Sequence, residues 1–193
     1  MTASSTPCCR RGSWFAAIAA LWLALLAAPG ARGDGIEIRD AALVAAEDGY
    51  YLEATFDIAL TSALEEALNK GVPLHFLVEF ELIRPRWYWL NEKVVNHQQR
   101  YRLTYNALTR QYRVAVGTLY QNFGSLGEAL EFLRRVRLRE LVEPGALSKE
   151  YSYTAALRMR LDTSQLPRPF QVSAVGSRDW NIGSDWYRWT VAP

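Results

Sequence analysis

Cysteine is nearly missing from this chain. Of 193 residues only Cys8 and Cys9 are cysteines, and both precede an apolar run over residues 14–28. Beyond that run there is no thiol, which excludes a disulfide framework, a thiolate metal site and a cysteine nucleophile. A lipid-modified cysteine would have to follow the run, so neither is placed for lipid attachment. Histidine is as scarce. His75 and His97 stand without an H-E-x-x-H, an H-x-H or a carboxylate-rich loop, which leaves zinc nothing to assemble on. No G-x-S-x-G elbow supports a Ser-His-Asp site, although spacing alone leaves one open. Neither G-x-G-x-x-G nor G-x-x-x-x-G-K-[ST] occurs, so nucleotide binding has no support and no cofactor is expected. After residue 28 no stretch is apolar enough to span a membrane, none is low-complexity, and no linker divides two domains.

The first 33 residues supply the strongest positive signal. Arg10 and Arg11 precede the apolar run, and the small-residue segment Ala28-Pro29-Gly30-Ala31-Arg32-Gly33 follows it. Basic, apolar and small-residue parts in that order are the grammar of a secretory signal peptide. Ala31 and Gly33 suit positions −3 and −1, so cleavage is expected after Gly33, giving a signal peptide over 1–33 and a single domain over 34–193. An uncleaved inner-membrane anchor is the alternative, and only then is membrane contact expected. Arg10-Arg11 fits an ordinary basic leader better than twin-arginine export, since no cofactor motif follows. The whole chain carries a formal charge of +2, with 22 basic and 20 acidic residues. Without Arg10, Arg11 and Arg32 it holds 19 against 20, a net charge of −1. The basic character thus belongs to the leader and is no argument for nucleic-acid binding.

Past residue 33 the dominant period is two, which means strands. Segments 36–44 and 50–60 flank Glu47-Asp48-Gly49, a hairpin turn signal. Ser62 and Glu65 form an S-x-x-E capping box for a short helix with Leu64, Ala67 and Leu68 as its stripe, stopped by Gly71 and Pro73. The segment 74–84 carries apolar residues on both faces, as a central strand does. A second hairpin joins 99–105 to 111–116. Ser125 and Glu128 start another helix with Leu126, Leu130 and Leu133 inward, and Arg134, Arg135, Arg137 and Arg139 near its end suit the helix dipole. Pro144-Gly145 closes that segment. In 149–161 Tyr151, Tyr153, Ala155, Leu157, Met159 and Leu161 face inward. Strands near 170–175 and 186–191 finish the domain. The similarity of the two helix starts, 62 residues apart, fits recurrent cap chemistry better than a duplication. The expected fold is mainly β, an antiparallel β-sandwich (an immunoglobulin-like one included) with two short capped helices. An α+β antiparallel sheet wrapped on the helices is the alternative.

Two groups of side chains carry candidate chemistry. Glu79 and Glu81 share a strand face about 7 Å apart, a spacing that could serve glycoside hydrolysis. Ion pairing with Arg100, Arg102, Arg158 and Arg160 on comparable outward faces is the plainer reading. The aromatic residues are the better clue. Trp87, Tyr88 and Trp89 are consecutive, and Trp180, Trp186, Tyr187 and Trp189 crowd the last fourteen positions. Strand alternation sends neighbours to opposite faces, so some of these rings should meet solvent as a ligand or partner surface. Alternatively they roof the domain, with Arg84, Arg86, Arg178 and Arg188 stacked on them.

Certain strings are distinctive. Gly71-Val72-Pro73-Leu74, Val78-Glu79-Phe80-Glu81-Leu82, Arg84-Pro85-Arg86-Trp87-Tyr88-Trp89 and Tyr101-Arg102-Leu103 recur with Ala107-Leu108-Thr109-Arg110-Gln111-Tyr112-Arg113-Val114. Asn122-Phe123, Leu166-Pro167-Arg168-Pro169-Phe170 and Ser177-Arg178-Asp179-Trp180 complete the set. The chain past residue 33 resembles an exported proteobacterial family, domain of unknown function 4390, sometimes labelled proline-rich signal peptide proteins. The label describes little here, with 8 prolines scattered along the chain. The resemblance implies no activity and no catalytic residues. It implies a genomic neighbour, a membrane sensor kinase of the nitrogen-regulation type. The resulting expectation is a periplasmic, non-enzymatic binding or interaction module of the cell envelope, partnered by an envelope or membrane sensor protein. An envelope glycan-binding protein, or a glycan hydrolase using Glu79 and Glu81, is the alternative.

Overall fold

Alternation of apolar and polar residues decides most of this architecture, because it leaves each strand one face to bury. The computed structural model describes residues 35–193 apart from 48, 87, 89–91, 144, 175 and 193. The expected signal segment, with Cys8 and Cys9, lies outside the described residues, as do Asp48, Pro144 and Val175. Contacts divide the chain after Gly33, and Asp34–Pro193 forms one compact unit. Its described part is mainly β, with two antiparallel sheets and a few short helices.

The first sheet joins β1 (Gly35–Ala46), β2 (Gly49–Ala59) and β7 (Arg135–Val142) in the order β1-β2-β7. The second contains β3 (Leu74–Arg84), β4 (Glu92–Asn106), β5 (Gln111–Val116), β6 (Leu119–Phe123), β8 (Tyr153–Leu161) and β9 (Tyr187–Val191), in the order β6-β5-β4-β3-β8-β9. β3 is central, as its two apolar faces imply. It pairs with β4 through Phe76↔Tyr101 and Phe80↔His97, and with β8 through Val78↔Met159 and Phe80↔Leu157. Leu74, Phe76, Val78, Phe80 and Leu82 are wholly buried on one of its faces. Each such side chain contributes about 1.5–3 kcal/mol of burial. They belong to one buried cluster that also includes Leu52, Phe56 and Ile58 of β2 and Leu64 and Leu133 of the helices.

Helix α1 (Ser62–Asn69) buries Leu64, Ala67 and Leu68 as expected. Its cap lies one residue earlier than the S-x-x-E pattern suggests. The Thr61 hydroxyl accepts from the Leu64 N–H at 3.3 Å and donates to the Asp179 carbonyl at 2.7 Å, a tertiary bond that Ser62 is not placed to make. Gly71 ends the turn with φ +87°, where a side chain would be strained. Helix α2 (Leu126–Arg134) is capped by Ser125, whose hydroxyl accepts from the Glu128 N–H at 3.2 Å. The Glu128 carboxylate in turn accepts from the Gly124 N–H at 3.1 Å. Ala129, Leu130 and Leu133 are its buried residues, with Leu126 only half-buried.

Five further expectations need correction. Arg135, Arg137 and Arg139 stand on strand β7, not a helix tail, since Val136 and Leu138 alternate with them and are buried against β2. The segment expected as a strand near 170–175 is helix α3 (Arg168–Ala174). Pro167 precedes it, Pro169 sits in its first turn where no N–H is needed, and the Gln171 N–H reaches the Pro167 carbonyl at 3.1 Å. Strand β4 starts at Glu92, well before 99, and β6 is an additional strand. Tyr151 lies outside β8 and is exposed instead of inward.

Candidate functional site

Register places Glu79 and Glu81 on the outward face of β3, each flanked by β4 and β8. Glu79 is 8% exposed. Its Oε2 accepts from Arg158 Nε at 2.8 Å, from Arg158 Nη2 at 2.5 Å and from Arg160 Nε at 3.1 Å. Burial alone would push this carboxyl up. The bonds from Arg160 and Arg158 outweigh it and hold the group below the ordinary carboxyl value. Glu81 accepts from Lys93 Nζ at 2.8 Å. A general acid needs a raised value, so Glu79 in this cage is poorly suited to protonate a leaving group.

The two histidines sit on opposite faces of the second sheet, His75 outward opposite Arg102 and His97 inward opposite Phe80, so they cannot share one ion. Burial, and next the Arg102 charge, push His75 below the ordinary imidazole value, which keeps it neutral at pH 7. Among the described residues no group of three His, Cys, Asp or Glu comes together. Tyr101 is buried on the inner face, and that burial pushes its phenol up to about 12.

Among the described residues the aromatic side chains stand in several different settings. Trp87 and Trp89 lie outside the described residues, and Tyr88 between them is 68% exposed. Trp180 is buried against Phe170, with ring centroids 5.5 Å apart. Trp186 is half-buried under the Arg158 guanidinium, 4.5 Å from its ring centre. Tyr187 and Trp189 follow on β9 opposite Leu157 and Ala155, and Trp189 leans on Phe80 at 6.3 Å. Stacking by arginine does occur among the described residues. Arg158 covers Trp186, and Arg84 covers Tyr151 at 4.9 Å.

Where β3 ends and β4 begins, a groove of about 440 Å³ is lined by Arg84, Pro85, Arg86, Tyr88 and Tyr151. Arg84 and Arg86 both bind the Glu92 carboxylate, which fixes two guanidinium groups at one wall. Tyr88 and Tyr151 present exposed rings. Sequence reasoning finds Tyr88 through the aromatic string and misses Tyr151 and Glu92. The alternation of 149–161 places Tyr151 inside, and only the early end of β8 releases it to the surface.

These features define a mainly β protein of two antiparallel sheets that carries an aromatic and arginine-lined surface groove. The chain belongs to the family described as Domain of unknown function (DUF4390), whose model matches residues 33–190. No curated protein and no solved structure matches it.

Proposed function

We propose that this protein is exported through the segment ending at Gly33 and works in the periplasm as a non-enzymatic binding module, with a membrane sensor protein as its partner. The groove at Arg84, Arg86, Tyr88 and Tyr151 is its contact surface. One observation carries the reading. Tyr88 and Tyr151 hold 68% and 47% of their surface in solvent beside two arginines that a shared carboxylate keeps in place. Exposed tyrosine and arginine side by side are the composition of a recognition surface, because tyrosine offers large contact area at low ordering cost and these arginines are already held by Glu92. The engaged state of Glu79 and Glu81 favours binding over glycan hydrolysis. In this reading the two sheets pack face to face as a sandwich, supported by the single buried cluster that draws on both.

A photo-reactive benzoyl-phenylalanine at position 88 of the exported protein tests this. Cross-linking to an integral membrane sensor, reduced at least tenfold by Tyr151→Ala with unchanged melting, is the expected result. An unchanged cross-link in Tyr151→Ala, or protection of the groove by envelope glycans alone, overturns the protein-partner reading.

A further inference from the structure

The outward face of the six-stranded sheet is far more positive than the chain as a whole. Register puts Arg100 and Arg102 of β4, Arg113 of β5, Arg158 and Arg160 of β8 and Arg188 of β9 on that face. The carboxylates among the same outward strand positions are Glu79 and Glu81. Glu79 is matched by Arg158 and Arg160, and Glu81 by Lys93. Four arginines are left with little to neutralise them. Arg100 has only a 4.0 Å approach to the buried Asp162, and Arg113 bonds the neutral Asn122 at 2.9 Å. Among the described residues Arg102 and Arg188 make no ion pair. Past residue 33 the chain holds 19 basic and 20 acidic residues, so a surplus here requires the acidic groups to lie elsewhere.

The shape of this face is informative too. Leu77, Glu79, Ala115 and Ala156 are outward positions, yet they are buried. Register sets each of them beside one or two of these arginines, whose long stems are suited to cover such positions. Five interstrand steps make the face about 24 Å wide. Aromatic rings stand toward its two sides. Tyr120 on β6 is 65% exposed with Arg113 4.6 Å above its ring, and Trp186 beside β8 lies under Arg158. A broad face rich in guanidinium forks and flanked by Tyr and Trp has the chemistry of a surface that meets many phosphates at once. Tyr and Trp favour the headgroup level of a bilayer.

We propose that this face docks on an anionic phospholipid bilayer, its arginines on phosphodiester headgroups and Tyr120 and Trp186 at headgroup level. This goes beyond the partner groove and does not depend on it. The contact needs no apolar anchor.

The test measures partition of the full chain onto phosphatidylglycerol and phosphatidylcholine vesicles. Comparing variants with wild type cancels whatever residues 1–33 contribute. Arg102→Gln with Arg188→Gln removes two exposed charges and should weaken phosphatidylglycerol partition about thirtyfold. Arg135→Gln with Arg139→Gln removes the same charge from β7 and should weaken it less than threefold. Quenching of Trp186 by brominated phosphatidylglycerol, read as the difference between wild type and Trp186→Phe, gives a second measure that needs no arginine variant. Absence of a phosphatidylglycerol preference, equal losses in the two arginine pairs, lack of Trp186 quenching, or binding only to soluble polyphosphate would each overturn the proposal.

Discussion

Glu79 offers the sharpest check on the electrostatics of this fold. Glu79→Gln keeps the side-chain shape and one carbonyl acceptor but removes the charge that holds Arg158 and Arg160. Three donor contacts between 2.5 and 3.1 Å converge on one oxygen of a carboxylate that is 8% exposed. Breaking a fully buried pair costs about 3–5 kcal/mol. The Arg158 and Arg160 side chains are 30% and 39% exposed, so solvent takes up part of that loss. About 2 kcal/mol remains, which is roughly 4–8 °C of melting temperature for a domain of this size. The pH dependence fixes the sign. The folded carboxyl lies below its ordinary value of 4.5, so its contribution is complete above that value and is lost as pH falls through the folded one. The gap between wild type and Glu79→Gln should therefore be full at pH 7 and close on acidification below about pH 4. Urea unfolding followed by circular dichroism at a series of pH values measures it. A gap under about 0.5 kcal/mol at pH 7 would refute the reasoning, because that is the scale of an ordinary surface pair. A gap that stays constant down to pH 2 would refute it equally.

Thr61→Ala should cost about 2 kcal/mol and Ser125→Ala about 1 kcal/mol, read from urea midpoints, because Thr61 both caps α1 and donates to the Asp179 carbonyl while Ser125 caps α2 alone. Equal losses would show that the long-range bond contributes nothing. Glu79→Gln should also raise partition onto phosphatidylglycerol vesicles about fivefold, since it frees one more positive charge on the proposed lipid-facing side. Lower stability together with tighter anion binding is the expected signature, and weaker binding would count against the face.

The sequence is legible wherever one strand face is buried and the other is not. β3 meets both criteria of a central strand in its own residues, and its bounds emerge where Pro73 and Pro85 punctuate it. The β4–β5 register follows from Tyr101, Leu103 and Tyr105 facing Val116, Val114 and Tyr112. Legibility fails where that contrast fades. Four of the five β6 residues are exposed and the fifth is half-buried, because it is an edge strand, so no alternation marks it. The first half of β4 has two adjacent valines, Val94 and Val95, among polar residues, so no period-two alternation marks it. Phe170 and Val172 mimic a strand, yet Val172 is 76% exposed, and Pro167 and Pro169 were the better signal, of a helix start. The cap of α1 was invisible for another reason. Ser62 and Thr61 are both competent caps, and only the distant Asp179 carbonyl selects between them.

Composition was misleading about charge in a way that register repairs. Arg100 and Arg102, like Arg158 and Arg160, are two residues apart and therefore share a face. β3 lies between the strands that carry them, so both pairs face each other across two strand spacings, about 10 Å. Only Glu79 in that span accepts from two of the four guanidinium groups. In the row Arg100–Leu77–Arg160 the centre is a buried leucine, and in the row Arg102–His75 it is an imidazole held neutral by burial and by Arg102 itself. Like charges at this spacing repel, and the strands that hold them are fixed by the inner core. Glu79 relieves that repulsion for Arg158 and Arg160, and Asp162 at 4.0 Å relieves it in part for Arg100, so Arg102, which makes no ion pair among the described residues, is the member of the four left for an anion from outside the fold.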